Sequence, residues 1–191
     1  MSVELLERAI ASTEKILSGV SPQQLEAATP CASWKVRDLV NHIVGSTYWF
    51  AATVETGIAP ASETDVGGPD VTSGDIMAAF AEGSKRAIAA FSAPGAMDKT
   101  LKLPFGEMPG AAFVMMAAND QFQHGWDLAK ATGQATALDP ELAGQLLGFV
   151  RAAIPDAFRG PDGKAPFGPV VSVPESAGAT DQLAGFLGRT P

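Results

Sequence analysis

The chain has 191 residues, 46% of them apolar and 18% charged, and its 13 basic and 21 acidic side chains give a formal net charge of −8. That composition excludes a disordered chain, and a domain of this length buries enough surface to fold without disulfides or structural metal. Cys31, the single cysteine, excludes an intramolecular disulfide framework and fits a reducing compartment, while the acidic balance argues against nucleic acid, whose binding needs clustered Lys and Arg.

The first eight residues, Met-Ser-Val-Glu-Leu-Leu-Glu-Arg, place acids where a secretory signal needs a basic and then an apolar stretch. Val3, Leu6, Ile10, Thr13, Ile16 and Leu17 fall on one stripe, which predicts an amphipathic helix ended by Gly19 and Ser21-Pro22. Thr29 to Ser33 reads as a loop, with Ser33 as the N-cap of a long second helix from Trp34 to about Glu55, stopped at Gly57. The longest uncharged run, 39–54, lies in that helix, contains Asn41 and His42, and is too short to span a bilayer. The expected location is therefore cytoplasmic, without membrane contact.

Residues 59–73 are rich in Pro, Gly, Ser and Asp and read as a loop, its acids from Glu63 to Asp75 solvated. Ser73 is the expected cap of a third helix over Ile76, Phe80, Ala87, Ile88 and Phe91, ended by Pro94-Gly95. Residues 99–110 suit a short extended segment and turn. Pro109 then starts a fourth long helix running to Ala131, with Gly133 beyond it. A fifth helix covers Leu142 to Val150 and stops at Pro155; a Pro/Gly-rich tail ends in a short helix from Asp181 to Leu187. The expected fold is all-α, a four-helix bundle with short additional helices, one domain over 1–191 with the tail 155–191 packed on it.

The chain holds two histidines, His42 and His124, each midway along a long predicted helix. Asp120 lies four residues before His124 and shares its helix face, as do the apolar Phe113, Met116 and Ala117. A carboxylate on an inward stripe needs a partner, since burying it alone costs several kcal/mol. Two readings meet that need: a neutral core histidine bonded to the carboxylate, or a divalent metal held by His42, Asp120 and His124 with positions left for water or substrate. Spacing leaves both standing. Asp127, three residues after His124, and Asp38, four before His42, are candidates to accept the free N–H of a ligating imidazole, or else are surface acids. Trp34, Trp49 and Trp126 read as packing residues, Met115 and Met116 as core filler, and Cys31 as a buried bystander or a reactive thiol at a helix start.

The run Thr29-Pro30-Cys31-Ala32-Ser33-Trp34-Lys35-Val36-Arg37-Asp38-Leu39-Val40-Asn41-His42 resembles the opening motif of the mycothiol-dependent maleylpyruvate isomerase-like proteins. Asp120-Gln-Phe-Gln-His124-Gly-Trp-Asp-Leu-Ala resembles their second motif, an acid followed at i+4 by His-x-Trp-Asp-Leu-Ala. The end of the chain, Phe167 to Pro174 and Gly185-Phe-Leu-Gly188-Arg189, resembles small actinobacterial members. The resemblance implies a DinB/YfiT-like metalloenzyme bundle whose ligands are His42, Asp120 and His124, with zinc, nickel or another divalent ion. The isomerase has Glu where this chain has Asp120, and it carries a further C-terminal domain, so maleylpyruvate isomerisation is not itself implied.

The expected function is a mycothiol-dependent transferase or isomerase, with the metal holding a low-molecular-weight thiol as nucleophile. Its partners are that small-molecule thiol and an electrophilic substrate, with a homodimer as the assembly to test for. Asp127 is the remaining candidate for a general base. The alternatives are a non-catalytic metal-binding bundle and a metal-dependent hydrolase using water.

Overall fold

The protein is described from a computed structural model covering residues 2–31, 33–61, 70–161 and 164–191. Its helices are α1 (Ser2–Leu17), α2 (Val36–Thr56), α3 (Ile76–Ser92), α4 (Gly110–Thr132), α5 (Pro140–Ala153) and α6 (Ala179–Phe186). A hairpin of β1 (Thr100–Leu103) and β2 (Gly106–Pro109) joins α3 to α4, where an extended segment and turn were expected. The architecture is the all-α, DinB-like bundle that the periodicity and motifs led to. Part of the expected 59–73 loop, residues 62–69, lies outside the described residues. No helix among the described residues is long and apolar enough to cross a membrane.

Contacts fix the helix directions. Gln121 reaches Ile43, and Phe113 packs on Phe50, so α2 and α4 are antiparallel. Tyr48 bonds to Ala79 and Glu55 to Arg86, so α2 and α3 run the same way. Thr13 donates to the Gln121 carbonyl and Gln134 to the Ile16 carbonyl, so α1 runs with α4. The bundle is thus up-down-down-up, with the end of α2 and the start of α3 at opposite ends of it. At the described ends of the connecting segment, Ile58 pairs with Lys102 and Asp70 with Asn41, at opposite ends of α2.

The core draws on all four long helices, centred on Trp49, Phe50, Phe91 and Phe113. Gly125 lets α1 and α4 meet closely: a Cβ there would stand 2.5 Å from Thr13 Oγ1. Arg8 of α1 clasps Asp139 at 2.7 and 2.8 Å, and Asp139 also caps α5 by accepting the Leu142 N–H at 3.0 Å.

Two expected caps are corrected. The second helix begins at Val36, not Trp34, because Trp34 N–H donates back to the Cys31 carbonyl at 2.8 Å, and Lys35 takes the cap position in place of Ser33. Before α3 the cap is Asp75, whose Oδ1 accepts the Ala78 N–H at 2.9 Å; Ser73 instead closes a 3-10 turn onto the Asp70 carbonyl. At α3 the Asp75 carboxylate satisfies an orphan first-turn N–H; at α2 the Asp38 carboxylate reaches back to the N–H of the cap residue Lys35. Pro109 precedes α4 as its cap residue rather than forming its first turn.

Candidate metal centre

The centre lies between α2 and α4, whose antiparallel packing brings position 42 opposite positions 120 and 124. Beside it, Gln121 Nε2 donates to the Ile43 carbonyl at 3.0 Å and to Ser46 Oγ at 2.8 Å, a buried polar link that fixes the two helices in register. The i,i+4 spacing puts Asp120 and His124 on the face turned to α2.

His42 Nε2 stands 3.4 Å from Asp120 Oδ1, and His124 Nε2 stands 3.7 Å from the same oxygen. The imidazole rings meet nearly edge to face, 4.6 Å apart at 80°. One ligand atom from each of the three side chains falls within 4.8 Å of the others. Ligands about 2.0–2.2 Å from a tetrahedral zinc stand about 3.4 Å from one another, so these separations suit a shared ion better than three direct hydrogen bonds. Asp120 Oδ2 is buried and makes no hydrogen bond among the described residues. The nearby Ser46 hydroxyl is committed to the Ile43 carbonyl and to Gln121. Burial pushes the Asp120 carboxyl up, but His42 and His124 outweigh it and hold the group below its ordinary value. A carboxylate kept ionised with one oxygen unpartnered, between two imidazoles, is a donor set that fits a divalent cation.

Asp127 orients His124. Its Oδ2 lies 3.1 Å from His124 Nδ1, and since an ionised carboxylate only accepts, Nδ1 carries a proton and Nε2 is the nitrogen turned toward Asp120. Asp127 is fully buried and bound from four sides. Arg189 donates to its two oxygens at 3.1 and 2.9 Å, Gln123 Nε2 donates at 3.3 Å, and Cys31 Sγ lies 3.3 Å away. Burial alone would raise the Asp127 carboxyl, but Arg189 and His124 drive it well below the carboxylate range. Asp38, the candidate partner for His42, lies at the start of α2. It accepts the Lys35 backbone N–H at 2.9 Å there.

Cys31 forms a second possible donor group with His124 and Asp127, but the Arg189 cation occupies that position. Burial first, then the Asp127 charge, pushes the Cys31 thiol up to about 12. Trp49 and Trp126 are buried in the core, as expected. Trp34 is half-buried and packs against that core, as expected, and its ring also lies against both imidazoles. Sequence reasoning missed that placement and the role of Arg189, whose partner is 62 positions away.

An all-α bundle with two imidazoles and a carboxylate brought together between antiparallel helices belongs to the DinB-like class. The comparisons narrow it. The pattern of the mycothiol maleylpyruvate isomerase N-terminal domain matches residues 6–129, and the chain belongs to that family. It is 40% identical over 184 residues to the Mycobacterium tuberculosis H37Rv protein named Uncharacterized protein Rv0738, covering 96% of this chain and 95% of that one. The same figures hold for Uncharacterized protein MT0763 of M. tuberculosis strain CDC 1551 / Oshkosh. No solved structure matches the chain.

Proposed function

We propose that this protein holds a divalent metal, zinc first, on His42, Asp120 and His124 and works as a transferase or isomerase on a low-molecular-weight thiol, mycothiol by its family, in the cytoplasm. The observation that carries the reading is the approach of His42 Nε2 and His124 Nε2 to one Asp120 oxygen, in a chain of the mycothiol maleylpyruvate isomerase family. When bound there, a divalent metal supplies a Lewis acid that lowers the pKa of a coordinated thiol.

The chain's own residues supply the rest. Asp127, accepting from His124 Nδ1, keeps His124 Nε2 turned toward Asp120. Asp120 brings the one negative charge among the three donors. Cys31, with its thiol pushed up to about 12, stays protonated near neutral pH and is no rival nucleophile. Asp127, committed to Arg189 and held ionised, is a poor general base, so that sequence-based role is not retained. The nucleophile therefore comes from outside the chain, and the electrophile is a small molecule.

The test is a titration of the cobalt(II)-loaded protein with mycothiol, followed by sulfur-to-metal charge-transfer absorption. The wild type and Cys31→Ala should develop the band, and His124→Ala should not. A loaded wild type that binds no thiol defeats the reading and leaves a non-catalytic metal protein. Hydrolytic turnover without thiol would point to bound water instead.

A further inference from the structure

Trp34 packs on both histidines at once. Its ring centroid lies 4.7 Å from that of His42, tilted by 46°, and 5.7 Å from that of His124, tilted by 36°. The backbone presenting the indole is tied down locally. Trp34 N–H donates to the Cys31 carbonyl at 2.8 Å, the Thr29 hydroxyl donates to the Trp34 carbonyl at 2.9 Å, and that hydroxyl accepts the Cys31 N–H at 3.1 Å. A bridge between Ala28 and Lys35 closes the base of the loop. The indole is therefore fixed by a loop that belongs to neither ligand helix, while His42 comes from α2 and His124 from α4.

We propose that Trp34 is a positioning residue of the centre, holding both imidazoles in the orientation in which their Nε2 atoms converge on Asp120. The assignment rests on the metal reading above. Two features of an indole suit the task. A rigid ring spanning two imidazoles restricts the χ2 rotation of both, so less ordering is left to be done when an ion arrives. An electron-rich face beside the centre also favours the state that has gained positive charge. Loss of an orienting partner typically weakens a metal site by about 10–100-fold.

The test uses the full chain with cobalt(II) alone as probe, measuring affinity and the visible ligand-field spectrum. Trp34→Phe, which keeps a ring, should resemble the wild type. Trp34→Leu should bind about 10–100-fold more weakly, with a shifted spectrum and unchanged helical circular dichroism. A second readout needs no ringless variant: cobalt should quench part of the tryptophan emission, and Trp34→Phe should remove that part while Trp49 and Trp126 stay bright. Wild-type affinity and spectrum in Trp34→Leu, or no quenching in the loaded wild type, overturns the assignment of Trp34 alone. A wild type that takes up no cobalt overturns the metal reading and this assignment together.

Discussion

At the residue scale the centre is built of one carboxylate between two imidazoles and another carboxylate behind them. His42, Asp120 and His124 were legible in the sequence because the chain has only two histidines, both on apolar helical stripes, and one has an acid at i−4. Asp127 was legible by its i+3 spacing from His124. Arg189 was not, because nothing local in a Gly-rich tail announces an ion pair with a buried carboxylate 62 positions earlier. Trp34 was read as packing, which it does, but composition could not show that its ring also lies on both histidines. Asp127→Asn keeps the shape but puts an N–H donor where His124 needs an acceptor, so metal affinity should fall at least about tenfold by calorimetric titration. Arg189→Ala removes the bidentate partner of a buried charge and should cost about 3 kcal/mol in a denaturant melt. An effect below about 0.5 kcal/mol would mean that the tail does not hold Asp127 in solution.

At the element scale the helices followed from periodicity, and their starts did not. The apolar stripes of α1 to α5 fixed type and face, since burial of one side decides a helix more strongly than propensity does. Ser33 and Ser73 were plausible caps, yet Lys35 caps α2, its own N–H held by Asp38, and Asp75 meets a first-turn N–H of α3. Choosing among neighbouring cap candidates depends on the path of the preceding loop, which the local sequence leaves open. The α1–α4 contact gives a direct test. Gly125→Val would press carbon into Thr13 Oγ1, 2.5 Å from the Cβ position, and should cost about 1–3 kcal/mol by overpacking. Asp139 gives a pH test away from the centre. Burial pushes its carboxyl up, but the Leu142 N–H and Arg8 outweigh it and hold it below its ordinary 3.8. A lowered folded pKa means stability that is fully present above about pH 4 and lost as pH falls through the folded value. Asp139→Asn should therefore be less stable than the wild type near neutral pH and lose less of its stability on acidification, as read by acid titration of helical circular dichroism.

At the scale of the whole molecule, the up-down-down-up arrangement places α2 and α4 antiparallel, which is what lets an early histidine meet a late Asp-x-x-x-His. Helix count and class were readable from the pattern; the order of directions was not, because it is set by contacts such as Ile43 with Gln121 and Tyr48 with Ala79. The core is apolar and includes Trp49, Phe50, Phe91 and Phe113, none of which is a donor residue of the candidate centre. Metal binding should therefore add to stability by mass action without creating the fold. Chelation should lower the melting temperature and leave the helical signal nearly intact, unlike a zinc finger, which unfolds without its ion. The central claim is most directly tested by native mass spectrometry of the purified chain after zinc loading, beside His42→Ala, Asp120→Ala and His124→Ala. One ion per chain in the wild type, lost in each of the three variants, is the predicted result. A wild type that remains metal-free, or variants that keep the ion with unchanged stoichiometry, would contradict it.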